Sequence, residues 1–190
     1  MRGFTQTPWF YVTCILISTG IHGLLLSHGF FGQDLSDGLF HHFMEAGPGR
    51  MERPFAAGPL IFSFYELFSS LSQNPASGML AGTLVLIAMI TYVILKVLSR
   101  LGAPSWLLLS AGLWAVISPS MHLLSIHHPE ILLGLIFLLL LFLSATSKNY
   151  LLVVVFLVHL FLTHYILAGF SFIFLTAYVI KLRVAKKSTF

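Results

Sequence analysis

The amino-acid sequence predicts an all-helical integral membrane protein with about six transmembrane helices and an amphipathic or re-entrant helical first external loop. Three observations predict this class. Of the 190 residues, 57% are hydrophobic and 8% are charged, and the mean hydropathy is +0.93, whereas soluble domains carry about 25% charged residues. The apolar residues fall in long windows, and the basic residues are distributed unevenly between them. We predict one polytopic membrane domain over residues 1–190, with an external loop at 29–77.

Six apolar windows are predicted to be membrane helices, since a crossing needs roughly 20 apolar residues. They cover residues 8–27, 78–98, 104–119, 131–145, 150–163 and 165–180. The last two form one stretch of about 31 residues, which as a straight helix would be about 46 Å long and would exceed a hydrocarbon core of about 30 Å. We therefore expect two short helices with a break around Thr163, His164 and Tyr165.

The basic residues predict the orientation. If segment 55–71 does not cross and the N terminus is cytoplasmic, eight of the ten basic residues are cytoplasmic and all six acidic residues are external, which satisfies the positive-inside rule. Both termini are then cytoplasmic, and segment 55–71 is re-entrant or interfacial. Most histidines also become external, including His122, and only His22 and His159 lie deeper in the bilayer. Ionisable groups at a membrane edge are costly, so this external face is the predicted functional face.

The first external loop contains a predicted amphipathic helix. Asp34 or Ser36 can cap it, and Gly47-Pro48-Gly49 ends it. Asp37, His41 and Glu45 are spaced four residues apart and share one face. A carboxylate there can act as a general base or a metal ligand, with a neighbouring imidazole tuning its protonation.

The order of elements resembles the polyprenyl-phosphate-dependent glycosyltransferases of the C superfamily, which include protein mannosyltransferases and aminoarabinose transferases of lipid A. The resemblance rests on "DGLFHHFMEAG" in the first loop, the Pro-containing "RPFAAGPLIFSFYELF", the "HPE" element that opens a span, and "FLTHYILAGFSFIFLTAYVIKLR". It covers nearly all of this chain and the N-terminal half of a typical member. The family usually has a basic residue just before its xPE element, where this chain has His127 and His128, and often has Lys where this chain has His164.

The resemblance implies transfer of a sugar from a polyprenyl-phosphate donor on the extracytoplasmic face. Asp37 would take the place of the first-loop catalytic acid, with Asp34 as a further candidate, and Glu130 would match the acid of the xPE element near the donor phosphate. Six candidate substrate-binding residues accompany these acids: His41, Arg50, Arg53, His127, His128 and His164.

Two alternatives remain open. One is a non-catalytic subunit or scaffold of a larger membrane complex, since the chain is short for a complete transferase. The other is a metal- or haem-binding membrane protein. A divalent metal is a candidate cofactor with His41, His42, Glu45 and His128 as candidate ligands, and His22 with His159 is the candidate haem pair.

Other features of the sequence disfavour some classes of function but do not identify site residues. The basic residues follow membrane orientation, so no nucleic-acid partner is predicted; the expected partners are membrane lipids, a polyprenyl-phosphate sugar and other membrane subunits. Transport is disfavoured, because no charged residue falls near the predicted midplane. The pairs Gly20 and Gly23, and Ala111 and Gly112, are expected to permit close helix approach.

Overall fold

The computed structural model describes residues 5, 7–27, 59–72 and 75–187, apart from the side chains of residues 59, 75–76, 126–127 and 178–187. All eight regular elements in this part of the chain are helices, which confirms the predicted all-helical class. They are α1 (Pro8–Ser27), α2 (Pro59–Ser72), α3 (Pro75–Arg100), α4 (Ser105–Ile117), α5 (Pro119–His127), α6 (Pro129–Thr146), α7 (Tyr150–Thr163) and α8 (Tyr165–Lys187).

Proline begins five of these eight helices, namely α1, α2, α3, α5 and α6. Its fixed φ suits the first helical turn, where its missing N–H is not needed. Because proline disrupts a preceding helix, Pro119 and Pro129 isolate the nine-residue α5. The Ser118 side chain caps α5 by accepting a hydrogen bond from the Met121 backbone N–H at 3.2 Å.

The predicted windows agree closely with the described helices. The windows at 8–27 and 150–163 coincide with α1 and α7, and the predicted break is confirmed, since α7 ends at Thr163 and α8 begins at Tyr165. The segment at 55–71 is helical from Pro59 as α2. Helix α5 is the exception, because its residues were expected in an external connection.

Three of the described helical segments are long and apolar enough to cross a membrane: Pro8–Ser27, Ser77–Arg100 and Pro129–Thr146. A fourth crossing is possible if Ser105–Ile117 and Pro119–Ser125, which meet at a 53° bend, count as one broken span. Helices α2 and α7 and the Tyr165–Ala177 part of α8 are shorter apolar helices. The structure therefore has three to four candidate membrane-spanning segments, as expected of a membrane protein.

Helix α3 is the centre of the packing. Its 26 residues correspond to a length of about 39 Å, and it contacts α1, α2, α4, α5 and α6. Leu86 and Ile87 on α3 and Ile136 on α6 are fully buried in the main apolar cluster. A smaller cluster of Phe10, Leu95 and Leu108 joins α1, α3 and α4. This scaffold fixes the start of α6, where the predicted acid Glu130 lies.

Candidate functional site

Glu130 lies in the first turn of α6, directly after the Pro129 that begins the helix. Its Oε1 atom is 3.2 Å from His128 Nδ1, and the side chains of Glu130 and His128 are 14% and 57% exposed. A carboxylate in this position interacts favourably with the positive end of the helix dipole. The acid predicted at the xPE element is therefore a mostly buried carboxylate beside an exposed imidazole.

Tyr65 on α2 lies close to this acid. Its hydroxyl is 3.0 Å from the Thr83 hydroxyl on α3, and both side chains are buried. Burial raises the pKa of the Tyr65 phenol, the hydrogen bond to Thr83 partly opposes this, and the negative charge of Glu130 raises the pKa further. Tyr65 therefore remains protonated and places an O–H group between α2 and α3 near the start of α6.

The Tyr65–Thr83 contact gives a prediction about how α2 is held. We expect Tyr65→Phe and Thr83→Val each to destabilise the chain, and the double variant to cost less than the sum, because each single change already removes the hydrogen bond between the two hydroxyls. The coupling should be about 0.5–1.5 kcal/mol, as for interhelical hydrogen bonds in membranes. The measurement is unfolding of all three variants in detergent micelles. Tyr92→Phe, at an exposed tyrosine on α3, is the matched control, and strict additivity would contradict the pairing.

His164 occupies the break between α7 and α8. Its backbone is extended, with φ −154° and ψ 92°, and its N–H donates to the Leu160 carbonyl at 2.8 Å. Its side chain is 8% exposed, and its Nδ1 accepts a hydrogen bond from the Leu167 N–H at 3.4 Å. The predicted interruption of the apolar stretch therefore places a mostly buried histidine at the turn.

Gly134 connects this histidine with the start of α6. A Cβ atom placed on Gly134 would lie 3.3 Å from His164 Cβ and 2.9 Å from Leu167 Cδ1, so the break packs directly on α6 at this glycine. Gly134 follows Glu130 by one helical turn and shares its face of α6. The structure thus brings Glu130 and His128 together, and it packs His164 one turn further along the same helix.

Several predicted site residues lie outside the described residues. These are the catalytic candidates Asp34 and Asp37, the binding candidates His41, Arg50 and Arg53, the metal candidates His42 and Glu45, and the side chain of His127. Their approach to Glu130 remains a prediction. Among the described residues, no group of three or more His, Cys, Asp or Glu side chains could hold a metal ion; of the four metal candidates, only His128 is described, and it contacts Glu130.

The structure pairs His22 with His122 and not with His159, the partner expected for a haem pair. His22 on α1 meets His122 on α5, with Nδ1 atoms 3.4 Å apart, and each side chain is 1% exposed. His159 is only part-buried; its Nδ1 lies 2.8 Å from the Val155 carbonyl oxygen of its own helix, and its ring packs on Phe137. His122, which the sequence placed in an external connection, lies in α5 and is buried against His22, because α5 folds back into the protein.

One sequence signal could have indicated the His22–His122 contact. Ser18 and His22 are four residues apart on α1, and His122 and Ser125 are three apart on α5, so each pair forms a polar stripe on one helix face. Polar stripes on apolar helices are typical of interhelical contacts in membranes.

Comparison of the chain with protein-family models, curated proteins and solved structures finds no match.

Proposed function

We propose that this chain is a glycosyltransferase-C-like membrane protein that transfers a sugar from a polyprenyl-phosphate donor on the extracytoplasmic face. The observation that carries the proposal is the mostly buried Glu130 at the start of α6, together with the His164 break that packs one turn further along that helix. An acid opening one helix and a polar interruption between two short apolar helices are two of the four elements on which the resemblance rests.

The proposed reaction is an inverting displacement at the anomeric carbon. The acceptor hydroxyl oxygen forms the new bond to this carbon, and Asp37 accepts the hydroxyl proton as general base. The bond between the anomeric carbon and the phosphate oxygen breaks, and polyprenyl phosphate leaves with the bonding electron pair. Its charge needs cationic or hydrogen-bonding partners. Glu130, His128 and Arg53 are assigned to the donor-phosphate region, with His41, Arg50, His127 and His164 as further substrate contacts.

The proposal includes a topology. Helices α1, α3, α6, α7 and α8 cross, as does the bent pair of α4 and α5, while α2 does not. Both termini are then cytoplasmic, and Glu130 faces the extracytoplasmic side. The distribution of basic residues supports this arrangement, since Lys96 and Arg100 at the end of α3 and Lys148 between α6 and α7 fall on the same side.

Native mass spectrometry of the purified chain tests the donor class. A copurified polyprenyl phosphate or its sugar conjugate is the expected result. A stoichiometric partner polypeptide without a polyprenyl lipid would instead support a non-catalytic subunit. Bound metal or a Soret absorption band without a polyprenyl lipid would support the metal- or haem-binding alternative. Either of these two outcomes, a partner polypeptide or a bound metal or haem in place of the lipid, would contradict the transferase proposal.

Substitution of the proposed base gives a prediction for activity. In membranes supplied with polyprenyl-phosphate mannose or aminoarabinose, we expect Asp37→Asn to lower release of polyprenyl phosphate by about 10²–10⁴-fold, the usual contribution of a general base. Glu130→Gln should also lower turnover. Glu66→Gln is the matched control, because Glu66 is an exposed acid on α2 and the variant makes the same charge change. Undiminished turnover in Asp37→Asn would remove the proposed base.

A further inference from the structure

Two histidine rings meet end to end in the core of the protein. The Nδ1 atoms of His22 and His122 are 3.4 Å apart, and the ring centroids are 5.6 Å apart with an angle of 16° between the planes. The separation of the centroids exceeds that of the nitrogens by about twice the distance from the centre of an imidazole ring to its nitrogen. The two nitrogens therefore point at each other along one line in nearly parallel rings, which is the geometry of an N–H···N hydrogen bond.

The surroundings assign the protons. His22 Nε2 lies 3.0 Å from the Ala115 carbonyl oxygen, and because a carbonyl only accepts, Nε2 must carry the hydrogen. Nδ1 of a neutral His22 is then an acceptor. His122 must donate from its own Nδ1, so its Nε2 carries the lone pair. One backbone carbonyl on α4 thus fixes the tautomers of both rings.

The pair belongs to a buried polar seam between helices. Ser18 Oγ lies 3.4 Å from Thr91 Oγ1 and donates to the Ala115 carbonyl at 3.0 Å, and Ser125 donates to the His122 carbonyl at 2.7 Å. All of these side chains are buried. The seam joins α1, α3, α4 and α5, and within it the histidine pair is a contact between a side chain of α5 and one of α1.

The described side chains that share the seam are uncharged. Helix α1 contributes Ser18, and its thiol Cys14, two turns before His22, packs instead against the cluster of Phe10, Leu95 and Leu108. Helix α3 contributes Thr91, and α4 carries no side chain that titrates. The charged groups on the helices that pack around the seam lie away from the histidine pair. Lys96 lies over the Tyr11 ring at 6.0 Å, about 16 Å along α1 from His22. Arg100 ends α3, and Glu130 contacts His128. Within the seam, the protonation of the pair itself therefore determines whether charge is present.

We propose that the His22–His122 pair is a protonation-dependent contact that holds α5 on α1. In the neutral pair the single N–H between the two Nδ1 atoms forms the bond. A first added proton goes to His122 Nε2 and makes this bond charge-assisted. A second proton occupies His22 Nδ1, so two N–H groups of two cations face each other and the contact is lost.

Loss of the contact would also affect the start of α6, because α5 leads directly into that helix. The helix is bounded by the 53° bend at Ser118 and by His128-Pro129, and its C-terminal end continues directly into Glu130. Release of α5 from α1 would therefore move the His128–Glu130 pair. The inference does not depend on what that pair does.

A distance measurement between α1 and α5 tests the inference. Spin labels are placed on cysteines at Leu24 and Leu123, which are exposed, in a Cys14→Ala background that removes the chain's single native cysteine. Double electron–electron resonance is recorded at about pH 8 and about pH 4, which bracket the histidine range. We expect a longer label–label distance at the acidic pH. An unchanged distance would overturn the proposal.

A second variant separates the histidine pair from other titrating groups. His122→Asn retains an amide near the Nδ1 position that can either donate to or accept from His22, and it does not titrate. We expect this variant to keep the shorter distance at both pH values, whereas His159→Asn, outside the seam, should retain the pH response. A response that persists in His122→Asn contradicts the proposal. Nitrogen NMR of labelled histidine at about pH 8 should show His22 protonated at Nε2 and His122 at Nδ1, and the opposite tautomers would also overturn it.

Discussion

Replacement of Gly78 by alanine is expected to separate α2 from α3 and to destabilise the chain by about 1–3 kcal/mol, the usual cost of overpacking. A Cβ atom placed on Gly78 would lie 2.4 Å from Ser69 Cα, 2.6 Å from Ser69 N and 2.8 Å from the Phe68 carbonyl carbon. These are backbone atoms and cannot rotate away as a side chain can. The clash therefore has to be relieved by moving one helix.

The intrinsic helix preference works in the opposite direction, since alanine favours a helix over glycine by about 1 kcal/mol. Gly20→Ala is the matched control, because nothing lies within 4 Å of a Cβ atom at Gly20 on α1. We expect Gly20→Ala to unfold at the same or a slightly higher denaturant concentration than the wild type in micelles, and Gly78→Ala at a clearly lower one. Equal stability of the two variants would show that α2 does not pack as closely as the structure indicates.

The helices could be predicted from the sequence because the signals that define them are local. The limits of α1 and α7 were predicted correctly, and so was the break at His164, since a stretch too long for one bilayer crossing contains a polar interruption. Helix-starting prolines mark many of the other boundaries. These features depend on neighbouring residues and on the thickness of the bilayer, not on tertiary contacts.

The contacts between helices were harder to predict. Gly20 and Gly112 were both expected to permit close packing, yet nothing lies near Gly20, whereas a Cβ atom at Gly112 would lie 2.9 Å from Cys14 Sγ. Small residues are common in membrane helices, and the crossing geometry decides which of them meet. Gly78 was taken only as the start of an apolar window.

The candidate site was predictable in part for the same reason. Glu130 was recognised because an acid at the start of an apolar helix is unusual and follows a proline, and these are local features. His122 was assigned to the outside because no local feature reveals the bend at Ser118 that turns α5 back against α1. The predicted approach of Asp37 to Glu130 requires a long-range arrangement of the first loop, and it remains a prediction.

Gly134→Val should separate His164 from the helix that carries Glu130. The valine Cβ would meet Leu167 Cδ1 at 2.9 Å and His164 Cβ at 3.3 Å, and its two γ-methyl groups need further space. Leu167 can change its rotamer, but His164 Cβ is fixed to the backbone at the break. The α7–α8 turn must therefore move away from α6, at a cost of about 1–3 kcal/mol.

The consequence can be followed at His164 itself. Its side chain is 8% exposed in the native protein, so carbethoxylation of histidines, located by mass spectrometry, should be slow at His164 in the wild type and faster in Gly134→Val. Gly169→Val is the matched control, because Gly169 also lies near this break but has nothing within 4 Å of a Cβ position. Unchanged protection of His164 in Gly134→Val would show that the break does not pack on Gly134. If His164 contacts substrate as proposed, the loss of this packing should also lower turnover in Gly134→Val and leave it unchanged in Gly169→Val, because only the first variant moves the histidine relative to Glu130.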